Sequence, residues 1–510
     1  MTIVPPGTGD RAAPERATTV EGRTGRTPAE PAADLAPALE RLFAAPPPEA
    51  SYRIAGIEGE LPPYLAGGTY YANGPARFGR GEVSYAHWLD GDGMVARLGF
   101  DEAGATFANR FVATEKLREE EAAGRALFRT FGTAFPGDRL LRGMALASPG
   151  NVSVYPWAGR LLAFGEQGLP WELDPETLET RGVHTFGGRL NAVSPFSAHP
   201  VFDRESGEMV NFGVSFSSRR PVLNVYRFGA DGDLVYRTRV GLDAPRSVHD
   251  FALSPRWAAF YLSPYVLDAE RFLGGCTSLL ECLVWRPELG SLLLVVDRET
   301  GAEAARVPLG ERYCLHLVNA FEDDAGRLVI DVVELEEPVY PDYTPLADLF
   351  AEVAPGRPVR RVVDVAAGRV VEERALDHAC ACDFPHTAQA DSMRPYDDFW
   401  MLAIGHTGRP GRKFLDRLVH ARWSAGCDDC WQAPPGVYLG GEPVHVGAPD
   451  DPRGGVVIVQ ELEPAKGRGA YVLFDARQVT RGPIARLPLV HPIPPLFHAC
   501  WDGADAEGSG

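Results

Sequence analysis

A short apolar strand, a turn rich in Asp and Gly, and a second strand recur along the chain as a hairpin unit. The unit occurs at ARLGFDEAGATFANRFV, WELDPETLETRGV, NVYRFGADGDLVYRTRV, LLLVVDRETGAEAARVPL, RRVVDVAAGRVVEERAL, LVHARWSAGCDDCWQA and AYVLFDARQVTRGPIARLPL. The turns fall near residues 102, 175, 231, 299, 366, 426 and 477. A spacing of roughly 50 to 75 residues, met seven times, predicts an all-β fold, a seven-bladed β-propeller whose blades are four-stranded sheets.

Three stretches break the rhythm with helical or apolar character: 113–132, 265–285 and 340–353. Inserted on one face, they would form a helical and loop dome over the propeller axis, where loops on a rigid scaffold carry function; ordinary covering helices are the other reading. Residues 1–34 are rich in Pro, Gly, Thr, Ala and charge and are expected to be a disordered tail, as are residues 505–510. That leaves 35–504 as the propeller domain.

Composition supports this architecture. Of 510 residues 45% are apolar, enough for a substantial core, and 55 Gly with 44 Pro supply the turns that many short strands need. The formal charge of −19 repels phosphate backbones and argues against nucleic acid as a partner. No apolar run approaches the ~20 residues of a membrane span, and the N-terminus lacks a signal-peptide core, so a cytoplasmic location is expected. Eight scattered cysteines fit a reducing compartment. Cys380, Cys382, Cys427 and Cys430 could in principle supply a structural zinc site, but the first pair is too close for the usual zinc loop.

Four of the twelve histidines sit in apolar, strand-like surroundings about a blade or more apart: His199 in FSAHPVF, His249 in RSVHDFALS, His316 in CLHLVNAF and His498 in PLFHACWDG. In most folds they would be satisfied core or surface residues. In a propeller the innermost strand of each blade approaches the axis, and four blades can aim four imidazoles at one point. Such a set suits iron, copper, nickel or zinc and leaves the metal's charge to be balanced from further out. Glu166, Asp383 and Glu442 are acids in mostly apolar strands, costly to bury unless paired, and are candidates to hold the histidines. Asp90-Gly91-Asp92-Gly93 looks calcium-like but is far shorter than an EF-hand loop, so a tight turn is the better reading.

At these residues the chain resembles the carotenoid cleavage oxygenases, a family that includes apocarotenoid oxygenases, stilbene-cleaving dioxygenases and a retinoid isomerohydrolase. The resemblance runs from about residue 51 to 504 through LPPYLAGGTYYANGP, HWLDGDGM, FGEQGLPWELDPETLET, SAHP, SVHDF, LHLVNAFED, DFP and FHACW. It implies a seven-bladed propeller under a helical dome. It also implies Fe(II) on His199, His249, His316 and His498, with Glu166, Asp383 and Glu442 holding three of them. Apolar substrate and O2 would be the partners, and one conjugated double bond would be cleaved to two carbonyls.

The family commonly has Glu where Asp383 stands. The shorter acid is therefore expected to reach its histidine by a longer bond or through water, and Asp383→Glu to be tolerated. His386 is read as tunnel-lining or structural. Val152 falls where many members have a Thr close to the vacant coordination position, and can act there only as an apolar wall.

Stilbene cleavers place a Lys directly before the first acid. Gly165 stands there, which lowers that alternative. Isomerisation with the same iron, or a propeller that binds a partner without catalysis, are the further rivals. Residues 265–285, with Phe272 and Leu273, are expected either to rest on a membrane surface at the tunnel mouth or to pack on the propeller as a lid.

Overall fold

The computed structural model describes residues 38–503 except 142, 217–219, 345, 354 and 379. The expected tails at 1–34 and 505–510 lie outside the described residues.

Seven antiparallel sheets follow one another around the ring, and each predicted hairpin is the outer pair of one blade, except that Ala50–Arg53 and Glu58–Gly59 add one more strand outside the first and the last hairpin. Blade I takes Ala50–Arg53, Thr69–Arg77, Asp92–Asp101 and Gly104–Phe111, and blade II runs from Ser153–Trp157 to Thr180–Val183. Blade III spans Val201–Phe202 to Leu234–Gly241, blade IV Arg246–Ser247 to Glu303–Gly310, and blade V Tyr313–Glu322 to Arg369–Ala375. Blade VI spans Ala381–Thr387 to Gly426–Gln432, and blade VII Tyr438–Ala448 to Pro483–Pro488. The burial of the strands follows their rank. The inner Tyr313–Glu322 is almost continuously buried, whereas the outer Leu234–Gly241 alternates half-buried and exposed residues, with only Val240 buried.

Two exchanges close the ring. The C-terminal strand His498–Asp502 pairs with Thr69–Arg77 as the innermost strand of blade I. Reciprocally, the N-terminal Glu58–Gly59 pairs with the outer strand of blade VII through Glu58↔Arg486 and Gly59↔Ala485.

The three insertions meet as the expected dome. In the first, helix α1 (Glu115–Ala123) starts where the Thr114 hydroxyl accepts the Leu117 N–H, and ends at Gly124 with φ 66°. Its Lys116 is fully buried and bonds Asp92, Glu120 and the Tyr85 hydroxyl at 2.7, 2.9 and 2.7 Å. In the second, helix α2 (Ala269–Gly274) is held by Arg129, whose Nη1 donates to the carbonyls of Phe272, Gly275 and Thr277. In the third, the turn Tyr340–Tyr343 packs on Phe131, with 5.0 Å between the Tyr340 and Phe131 ring centres.

The DGDG sequence is not the tight turn between strands that was expected: Asp90 ends the 3-10 helix Trp88–Asp90, Gly91 is extended, and Asp92 and Gly93 open the strand Asp92–Asp101. Asp90 accepts from the His87 and Gly132 N–H groups and the Thr133 hydroxyl, and Asp92 is engaged by Lys116.

The apolar side of 265–285 packs inward as a lid. Phe272 is 0% exposed, and Leu267, Leu279 and Leu283 are buried, so of the Phe272 and Leu273 pair only Leu273, 57% exposed, faces outward. Phe272→Ser is therefore expected to lower the melting temperature through loss of core, by about 3–5 kcal/mol if it behaves as other large-to-small core changes do. Leu273→Ser should leave stability within about 0.5 kcal/mol of wild type in a urea titration.

Candidate metal centre

Blades I, III, IV and V each bring one histidine to the axis. His199 lies two residues before the inner strand of blade III, His249 precedes Phe251–Leu253 of blade IV, His316 lies within the inner strand of blade V, and His498 begins the closing strand of blade I. His199 Nε2 is 2.9 Å from His249 Nε2, which is 3.2 Å from His316 Nε2. The His498 ring centre lies 4.6 and 4.9 Å from those of His199 and His316. All four are buried, and each offers one nitrogen within 4.8 Å of the other three. Among the described residues they are the only such group of three or more His, Cys, Asp or Glu. The Cys380, Cys382, Cys427 and Cys430 thiols form no such cluster.

The remaining blades bring the acids. His249 Nδ1 bonds Glu166 Oε1 at 2.9 Å from blade II, His316 Nδ1 bonds Asp383 Oδ1 at 2.5 Å from blade VI, and His498 Nδ1 bonds Glu442 Oε2 at 3.1 Å from blade VII. With the Nδ1 protons donated outward, the Nε2 lone pairs of these rings face one another, an arrangement that a cation at their centre stabilises. Burial pushes the His199 imidazole well below its usual pKa, reinforced by His249, His498 and His316, which favours the neutral ring that a metal could bind. Burial also lowers His498. At His316 burial acts the same way, but the Asp383 carboxylate outweighs it and the net direction is up. Burial would raise Asp383 and Glu442, yet the charge and hydrogen bond of His316 in the first case, and the bonds from His386 and His498 in the second, hold both carboxyls below the usual range.

The contact of Asp383 with His316 corrects the expectation drawn from its length. The bond is direct, neither long nor bridged by water. A bulge between Asp383 and His386, with Phe384 at φ 53°, supplies the reach that the missing methylene would have given. Asp383→Glu therefore has to accommodate an extra methylene in a contact already closed, and the ground for expecting it to be tolerated is gone.

Three features escaped the sequence reading. The Tyr340 hydroxyl lies 3.1 Å from His249 Nδ1 and that of Tyr343 3.4 Å from Asp383 Oδ2, so the dome buttresses two of the acid–histidine pairs. A buried tyrosine in an apolar insertion needs a polar partner, and that was the available signal. Glu442 serves two histidines, since its Oε1 also takes His386 Nδ1 at 2.7 Å. Asp250 Oδ1 lies 3.8 Å from His199 Nδ1, too far for a hydrogen bond, and the carboxylate instead accepts the Phe251 and Leu317 N–H groups. His199 thus lacks the short carboxylate bond that the other three make. Val152 is buried, and its carbonyl accepts the His498 N–H at 3.1 Å, which fixes it beside the closing strand.

A cavity of about 320 Å³ enters beneath the dome and reaches Glu166 and Tyr340. Among the described residues its only basic lining residue is Lys116, whose ammonium is already engaged by two carboxylates. A second cavity, about 240 Å³, is lined by His199, Asp250, His386 and Glu442 together with Arg204.

A family model described as retinal pigment epithelial membrane protein matches residues 43–502. The apocarotenoid-15,15'-oxygenase of Synechocystis sp. is 30% identical over 478 residues, 90% of this chain and 95% of that protein. The isoeugenol monooxygenase of Pseudomonas putida is 26% identical over 458 residues, 87% of this chain and 93% of that one. The solved structure of the cobalt-substituted Synechocystis apocarotenoid oxygenase superposes with a TM-score of 0.83 at 28% identity, covering 91% of this chain and 98% of that one.

Proposed function

Since the chain belongs to the family of retinal pigment epithelial membrane protein and the carotenoid oxygenases, we propose that it is an Fe(II) dioxygenase that cleaves one conjugated carbon–carbon double bond of a carotenoid or apocarotenoid. The observation that carries this reading is the convergence of four buried imidazoles, three of them hydrogen-bonded to a carboxylate. Metal–nitrogen bonds of about 2.0–2.1 Å put neighbouring nitrogens about 2.8–3.0 Å apart at right angles and about 3.3–3.4 Å apart in a tetrahedron. Separations of 2.9 and 3.2 Å span these values, so one ion could be shared by the three rings. Zinc has no redox chemistry to offer O2, whereas iron on an open imidazole site does.

His199, His249, His316 and His498 would hold the iron. When bound, it supplies the activation of O2, whose two oxygen atoms end in the two carbonyls that replace the double bond. The protein's own share is positional. Glu166, Asp383 and Glu442 keep the ligand tautomers fixed and offset the metal's charge. Apolar walls at Phe131, Leu146 and Phe196 keep the substrate in place and water out. Val152 would present only methyl groups toward the centre.

A stilbenoid or phenylpropanoid substrate is the second reading, favoured by the match to isoeugenol monooxygenase. Against a substrate bound as phenolate stand the engaged state of Lys116 and the wall at Gly165. A Cβ there would lie 2.3 Å from Ser148 Oγ, so a lysine does not fit without displacing that serine.

The deciding experiment incubates the iron-loaded protein with carotenoids, apocarotenals and stilbenes and identifies the aldehydes by mass. Incorporation of both atoms of ¹⁸O2 into the products is expected, and products without label would overturn the reading. Glu166→Gln and Glu442→Gln should each weaken iron binding or turnover by about 10- to 100-fold while the melting curve stays near that of the parent. Val152→Thr is expected to change turnover modestly and leave the iron content, measured by elemental analysis, as it was.

A further inference from the structure

Neither the cavity beneath the dome nor the small one of about 40 Å³ beside it is lined by any of the four metal-site histidines. The cavity of about 240 Å³ is lined by His199. Strand direction says where it lies. The innermost strands of a propeller run one way along the axis. On each of the four that carry a ligand, the cavity wall is made by residues that follow the histidine: Val201 after His199, Leu253 after His249, Asn319 after His316 and Cys500 after His498. The next strands of blades IV and V, Trp257–Leu267 and Leu328–Leu335, run back antiparallel and end at the dome insertions. The cavity therefore extends along the axis away from the dome, as a chamber behind the metal centre.

His199 is the ligand with room to move into this chamber. The other three histidines are tied through Nδ1 to carboxylates at 2.9, 2.5 and 3.1 Å, whereas His199 Nδ1 stands 3.8 Å from Asp250, itself part of the chamber wall. At about 10–15 Å³ per water-sized atom, the chamber has room for a five-membered ring several times over. Its wall also suits a passing cation. Asp250 and Glu442 line it, and so does His386, whose Nδ1 bonds Glu442 and whose buried Nε2 finds no partner among the described residues. Against these acids stands Arg204, an exposed side chain in the turn after Val201–Phe202 and the one Lys or Arg among the described lining residues.

We infer that the metal centre is loaded and emptied through this axial chamber, on the face opposite the dome, with His199 turning aside to let the ion pass and Arg204 slowing its passage in both directions. The inference rests on the four histidines holding a metal, as proposed above, and not on which alkene is cleaved. A positive charge at the rim repels the ion on its way in and on its way out, so it acts on the rates of exchange more than on the affinity. The cavity beneath the dome is left to the apolar substrate.

The test follows the metal itself. Protein stripped with a chelator is mixed with cobalt(II), and uptake is read from the visible absorption of the bound ion; loss from the loaded protein is read after excess chelator is added. Arg204→Glu is expected to speed uptake and loss alike, by about three- to tenfold at low ionic strength, and the gain should fade as salt is raised. Ser392→Trp, which fills the chamber from blade VI, should slow both. Asp250→Glu, one methylene longer, should reach His199 Nδ1 and slow both as well. Val193→Trp, on the wall of the dome cavity and 57% exposed, should change neither. Rates that respond to Val193→Trp and to neither Arg204→Glu nor Ser392→Trp overturn the inference. Unchanged rates in a folded Asp250→Glu protein overturn the part given to His199. A wild-type protein that takes up no cobalt overturns the metal reading, and this inference with it.

Discussion

Alanine in place of His249 or His316 is expected to empty the metal centre and abolish turnover. Each supplies one of only four nitrogens, and each is the ligand whose outer nitrogen is tied most closely to an acid, at 2.9 Å to Glu166 and 2.5 Å to Asp383. Losing an outer partner costs roughly 10- to 100-fold. Losing the ligand itself should cost more, with less than a tenth of the iron retained per chain and turnover below detection. The fold should survive, because the seven blades are held by their own ladders and cores. Iron by elemental analysis, read beside a melting curve, separates the outcomes. Full iron occupancy in either variant would sink the assignment of the ligands.

Lys116→Met should be among the most destabilising single changes in the protein. Its ammonium is fully buried, and the carboxylates it neutralises, Asp92 and Glu120, are 1% and 0% exposed. Burial works against the charge, yet Asp92, Tyr85 and Glu120 together hold the ammonium's pKa above the usual lysine range. Methionine nearly conserves the volume but leaves two buried acids with Arg80 alone, 3.3 Å from Asp92 and 3.9 Å from Glu120, to offset them, an error that costs about 3–5 kcal/mol. An exposed pair such as Arg53–Asp101, with both side chains about half accessible, should contribute at most about 1 kcal/mol when removed. Urea midpoints of the two variants measure the contrast. A Lys116→Met protein shifted no further than an Arg53→Ala protein would show that the cluster is not a keystone between helix α1 and blade I.

The blade count was legible because a hairpin turn leaves a local mark, Asp and Gly between two strands, and seven such marks survive whatever happens elsewhere. The histidines were legible only once the fold was in hand, since nothing within seven residues of His199 or His498 distinguishes a ligand from a core imidazole. The resemblance, not the spacing, named the metal and the substrate class. What stayed hidden depends on side-chain direction. Helix α2 is six residues long, too short for an apolar stripe to declare its inner face, so Phe272 and Leu273 read alike although one is core and the other surface. The bulge at Asp383–His386 has no glycine to announce it, because Phe384 itself takes the positive φ. The sharing of Glu442 between His386 and His498 joins residues 56 positions apart, beyond any local pattern.

The seam of the ring has a consequence for how the protein is made. Translation delivers three of the four histidines early, but the last, His498, rides on the strand that also completes blade I. Until that strand leaves the ribosome, the nascent chain has neither a closed ring nor a full ligand set. Capture of a metal by all four histidines would therefore wait for the end of synthesis, and a chain that stops before residue 498 would lose ring closure and the fourth imidazole in the same stroke.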